Sequence, residues 1–174
     1  MRVLSPTLVL RRSFKELFAL TIGFFPGPCF NGNPMKTSHS IDYSEAKKIV
    51  DAIVTKAMAL QKAVVIAVAD PHGDLLAFAR MDGVGLPPMQ IAMNKAWTAA
   101  RLRKPTKNVG DRLQKEGFDI AYYGDPRIVG WGGGIPLFKD GELVGAIGVS
   151  GLSSEEDVEL AELGAKALEK LLLW

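Results

Sequence analysis

Apolar residues Ala46, Ile49, Val50, Ile53, Val54, Ala57 and Met58 recur every three or four positions after Asp42, the spacing that lines one face of an α-helix. Asp42, with Glu45 three residues on, forms a capping-box start for that helix. The pattern then changes. Residues 63–69 are an unbroken apolar run, too short for a free helix and too continuous for a half-exposed strand, which predicts a central strand. Asp70-Pro71-His72-Gly73-Asp74 supplies turn chemistry, and residues 75–81 predict the second strand of a hairpin. Beyond the Gly/Pro-rich break at 82–88, residues 89–103 carry Ile91, Ala92, Ala96, Ala99 and Ala100 at helical spacing, a helix that packs closely through its alanines. Lys104-Pro105 ends it, and Thr106 caps a short further helix through Leu113. Residues 117–125 read as loop. Residues 128–131 and 135–138 read as strand segments on either side of Gly132-Gly133-Gly134. Lys139-Asp140-Gly141-Glu142 is a hairpin turn leading into a strand at 143–149. Ser153 with Glu156 caps a C-terminal helix that runs through Val158, Leu160, Ala161 and Leu168. Hairpins without βαβ alternation predict an α+β fold with an antiparallel sheet, and disfavour a doubly wound parallel one.

Composition fits this picture. A chain of 174 residues, 48% hydrophobic and 23% charged, is the size of one domain able to bury a core without disulfides or a structural metal. One cysteine and two histidines cannot supply the four ligands of a structural zinc site. The formal charge of +2 changes sign when it is divided along the chain. Residues 1–34 hold Arg2, Arg11, Arg12 and Lys15 against Glu16, and setting these aside from the 21 basic and 19 acidic residues leaves the body at −1. A near-neutral body has no electrostatic footprint for nucleic acid.

Residues 1–34 read as an N-terminal extension outside the fold, which occupies 35–174 with Met35 as its natural start. The mostly apolar run at 17–25 is too short to cross a membrane. Arg11-Arg12 gives the segment some likeness to an export signal, but no A-x-A cleavage pattern follows. The expectation is therefore a cytoplasmic protein, with export as the alternative if the extension acts as a signal.

Candidate chemistry is sparse. Gly145 to Gly151 lacks G-x-G-x-x-G spacing, and Glu155, Glu156, Asp157 and Glu159 at the following helix start would repel a phosphate. Gly132-Gly133-Gly134 suits either close ligand approach or a tight turn. His72 sits at a hairpin tip and His39 in the stretch before the first helix. No Ser/His/Asp or Cys/His constellation can be assembled. The helix at 89–103 is the richest element, with Met89, Met93 and Trp97 on one stripe and Lys95, Thr98, Arg101 and Arg103 beside it.

Several of these segments together resemble one family. They are Val65 to Asp70 with Gly73, Arg80-Met81-Asp82-Gly83, Lys95-Ala96-Trp97-Thr98-Ala99-Ala100, Pro105-Thr106, Gly132 to Leu137, and Gly141 to Gly151. In this order they are similar to the GlcG/HbpS-type haem-binding family, which includes the C-terminal domain of PduO. The resemblance implies a profilin-like α/β/α sandwich, a central antiparallel sheet of about five strands with helices on both faces. It implies a homo-oligomer, a tetramer or octamer, that binds haem and serves haem degradation, redox sensing or an accessory metabolic role. It points to Thr98 as the iron contact, with His39 as the alternative. Lys95 and Arg101 are then the propionate partners, Met93 the apolar wall, and Gly132, Gly133 and Gly134 further cofactor contacts. The rival expectations are an enzyme for a small hydroxy acid or diol, in which Lys95 and the glycine turn form an anion site, and a scaffold subunit without a ligand.

Overall fold

A computed structural model of the protein describes residues 38–172. The extension at 1–34 and the start expected at Met35 lie outside the described residues. Helix α1 (Tyr43–Ala59) opens on the expected capping box: the Asp42 carboxylate accepts from Glu45 N at 2.8 Å, and the Glu45 carboxylate accepts from Asp42 N at 2.9 Å. Strands β1 (Val65–Ala69) and β2 (Leu75–Arg80) form the predicted hairpin. The Asp70 carboxylate ties its turn by accepting from His72 N and Asp74 N. Helix α2 (Pro87–Leu102) begins on two prolines, whose missing N–H groups would have no partner at a helix start in any case. It is followed by α3 (Thr106–Glu116), a 3-10 turn (Ile120–Tyr123), β3 (Gly134–Lys139), β4 (Glu142–Ser150) and α4 (Ser154–Leu172).

The sheet order is β2-β1-β4-β3, antiparallel throughout. Alternation along β1 assigns its two faces. Ile66 and Val68, with Ile147 and Val149 of β4, pack with Ile49 and Ile53 of α1 and Leu160 of α4. Val65, Ala67 and Ala69 face the other way, onto Ala92 and Ala96 of α2. The α+β class and the layering with helices on both faces therefore hold. The close seating of α2 depends on Gly148, where an added Cβ would lie 2.0 Å from the Ala92 carbonyl oxygen and 2.6 Å from Ala96 N.

Two expectations are corrected. The sheet has four strands rather than about five, because residues 128–131 pair with no strand. Threonine side chains bond backbone groups in and beside this segment instead, while Ile128 N donates to Asp125 O. Thr98 Oγ1 donates to Arg127 O at 3.1 Å and accepts from Val129 N at 3.2 Å, while Thr106 Oγ1 donates to Trp131 O at 2.6 Å. The segment also runs against α3, with Gly130 on Gly110, where a Cβ on Gly110 would lie 2.1 Å from Gly130 O. The same hydroxyl bond explains the second correction. Thr106 is the first residue of α3 and not its cap, which is Pro105, and the helix continues past Leu113 to Glu116.

The start of α4 carries the other predicted capping box, in which Ser153 and Glu156 each accept from the other's backbone N–H. The Lys62 ammonium and the Ser153 hydroxyl and backbone N–H also bond the Glu156 carboxylate and hold it down to about 2, from an ordinary 4.5. A depressed carboxyl contributes stability that is fully present above the unfolded value and is lost as pH falls through the folded one. Carbon-detected NMR titration should therefore place the Glu156 midpoint near 2, with Lys62→Ala returning it toward 4.5. A wild-type midpoint at the ordinary value would show that Lys62 does not engage it.

Candidate functional site

The helical stripe expected to line a haem groove is directed mostly into the protein. Lys95 and Thr98, one turn apart on α2, are both buried, at 2% and 0% exposed. Lys95 Nζ donates to Asp157 Oδ2 and to Val149 O, each at 2.8 Å, and so pins α2 to the first turn of α4 and the end of β4. Burial pulls the Lys95 amine below its ordinary range and pushes the Asp157 carboxyl above its own, while each partner opposes the other's shift. The Thr98 hydroxyl is occupied by Arg127 O and Val129 N. Met93 is half-buried beside the Val65 and Ala92 cluster. Arg101 is exposed, its guanidinium 5.6 Å from the Trp97 ring centroid, and Arg127 covers the same ring at 3.9 Å. These four residues do not share one surface. The glycine turn is filled by protein atoms. A Cβ on Gly132 would lie 2.8 Å from the Val158 side chain, one on Gly133 2.6 Å from Val149 O, and one on Gly134 2.4 Å from the Thr106 methyl.

A second cluster forms around His39. Ile41 N donates to Val144 O at 2.9 Å and its side chain is 4% exposed, so the stretch before α1 is fastened to β4. This brings His39 to the β3–β4 hairpin, where its Nδ1 lies 3.0 Å from Glu142 Oε2. A carboxylate only accepts, so Nδ1–H is the donor in this contact, and in the neutral ring with that proton Nε2 carries the lone pair. The imidazole borders a hollow of about 480 Å³ with Ile41 and Val144 as apolar walls and Lys139 contributing a cation. A volume of this size is in the usual range for a small-molecule site. A metal-ligating histidine is commonly oriented by a carboxylate on its other nitrogen, so the donor set suits a haem iron at Nε2 and a propionate at Lys139. Glu142 and Lys139 escape a reading of the sequence, because a hairpin turn rich in charge looks like solvated surface. The one local signal is Ile41, an apolar residue directly before a capping box, which marks the chain as tied down there.

Among the described residues, no group of three or more His, Cys, Asp or Glu side chains is placed to hold a metal ion, and no helix is long and apolar enough to cross a membrane.

Four antiparallel strands between helical layers, with an imidazole-bearing hollow at one hairpin, define a small three-layer α/β/α domain. The family model described as "Haem degrading protein HbpS-like" matches residues 41–166, and the chain belongs to that family. A 15.0 kDa protein of Citrobacter freundii, from the dhaT-dhaS intergenic region and described as uncharacterized, is 35% identical over 134 residues, covering 76% of this chain and 94% of its own. The crystal structure of Klebsiella pneumoniae ORFY superposes with a TM-score of 0.74 at 29% identity, over 79% of this chain and 96% of that one. The PduOC:heme complex superposes with a TM-score of 0.69 at 30% identity, over 74% of this chain and 94% of that one.

Proposed function

We propose that this chain binds haem, with His39 as the residue that would hold the iron through Nε2 and the hollow beside the β3–β4 hairpin as the site. The observation that carries the reading is the 3.0 Å contact between Nδ1 of His39, a residue that lines the hollow, and the Glu142 carboxylate. Membership of the HbpS-like family and the likeness to a haem complex support it. Bound haem supplies a redox-active iron. The chain's residues supply the nitrogen ligand, the carboxylate that orients it, a cation for a propionate and an apolar floor. The working form in this reading is a homo-oligomer of four or eight chains, serving haem degradation or redox sensing.

Thr98 is the weaker ligand candidate, because an iron bond there would require its two backbone hydrogen bonds to open. Haemin titration followed at the Soret band separates the two. Wild type should saturate, His39→Ala should lose the shift, Glu142→Gln should bind about tenfold more weakly, and Thr98→Ala should retain the shift at reduced thermal stability. A flat wild-type response sinks the haem reading. Loss of the shift in Thr98→Ala alone moves the site to α2.

A further inference from the structure

A groove of about 340 Å³ is lined by the Lys95–Asp157 pair together with residues from the start of α2 and the start of α4. Its walls are apolar: Pro87, Pro88 and Ile91 from α2, and Trp131, which is 63% exposed. Its polar groups have a common character. Ser150, the last residue of β4, is 5% exposed, and its hydroxyl has no hydrogen-bond partner among the described residues. No fully buried side-chain oxygen or nitrogen among those residues lacks a partner, so the Ser150 hydroxyl is the part of the residue that reaches the groove. The Ser154 hydroxyl, also on the groove, is likewise without a partner. At the floor, Lys95 uses two of its three N–H donors, on Asp157 and Val149 O.

We infer that this groove is a second ligand site, separate from the His39 hollow, for a small uncharged polyhydroxy compound of sugar size. Charge selects against an anion. The Lys95–Asp157 pair sums to zero, and Glu155 and Glu156 flank it on the first turn of α4. It selects against a cation as well, because the Asp157 carboxylate is already bonded by Lys95 and by Leu152 N at 3.2 Å. The two free serine hydroxyls can each donate and accept, which matches the dual character of a ligand hydroxyl. The Trp131 ring and the proline rings offer flat apolar surface to the C–H faces between such hydroxyls.

The test is amide and indole NMR on the full chain, titrated separately with D-ribose, glycerol, acetate and inorganic phosphate. Saturable shifts are expected with D-ribose at the Gly151 and Ser154 amides and the Trp131 indole, with the Glu142 amide unmoved. Ser150→Ala should weaken ribose binding about tenfold, the effect of one lost hydrogen bond, and leave the melting temperature unchanged because its hydroxyl bonds nothing in the free protein. Ser154→Ala, at the half-buried first residue of α4, gives the same readout if Ser150→Ala perturbs folding. The inference is overturned if neither ribose nor glycerol saturates, if acetate or phosphate produces the shifts instead, or if both serine variants bind ribose as wild type does.

Discussion

Asp157→Ala lowers the unfolding free energy by about 3–5 kcal/mol in a urea titration, the largest loss expected from any single side-chain truncation in this domain. The substitution leaves the Lys95 ammonium, 2% exposed, with only Val149 O as a partner. An unpaired buried charge is the costly state, more so than a buried pair. The double variant Lys95→Met/Asp157→Leu removes both charges at similar volume, and should recover most or all of the loss. The directions of the two titrations agree with this. Burial raises the Asp157 carboxyl, so the stability its protonated form gives is present below the unfolded value and lost as pH rises through the folded one. Burial lowers the Lys95 amine, so the stability of its neutral form is present above the unfolded value and lost as pH falls through the folded one. Burial opposes the charged form of each partner, so the pair is held at a net desolvation cost, which fixes how α2 meets α4 rather than adding stability. A loss below about 1 kcal/mol for Asp157→Ala would show that the ammonium finds solvent there.

Gly148→Val prevents α2 from seating on the sheet, and should either fail to give folded protein or lose about 3 kcal/mol or more in the same titration. An added Cβ at this position would sit 2.0 Å from a backbone oxygen, and a helix carbonyl has no rotamer by which to move aside. The only relief is a shift of α2, which would break the alanine packing of Ala92 and Ala96 on Val65 and Ala67. Gly141→Ala is the control: its Cβ would meet nothing within 4 Å, so any loss there reports only its φ of +80°. Equal effects of the two substitutions would mean that α2 does not touch β4.

The frame of the fold is legible in the sequence because local signals and burial agree. The two capping boxes, the β1–β2 hairpin and the Asp140-Gly141 turn each follow from a few adjacent residues, and each appears where its signal lies. The strand expected at 128–131 fails for a non-local reason. Its apolar residues do suit a strand, but two threonine hydroxyls from other helices take its backbone groups. The site was less legible. Spacing along α2 identifies Lys95, Thr98, Met93 and Arg101 as neighbours in sequence, yet it cannot say that the first two are buried. Pairing of Lys95 with a residue 62 positions away, and of His39 with one 103 positions away, is a product of topology alone.

The threonine clasp has a consequence for how the domain comes apart. A ladder strand shares its loss over many equivalent bonds, whereas residues 128–131 hang on two hydroxyls, each serving as a single fastening point. Opening the Thr98 bonds frees backbone groups of residues 127 and 129, neither of which belongs to a strand, so this stretch forms a unit that can detach ahead of global unfolding. Its far end is not isolated, because Gly133 O accepts from Val149 N and Gly134 N donates to the same Thr106 hydroxyl. Release at Thr106 therefore reaches the start of β3 and the end of β4 together, making one methyl-bearing alcohol the latch between a peripheral loop and the free edge of the sheet.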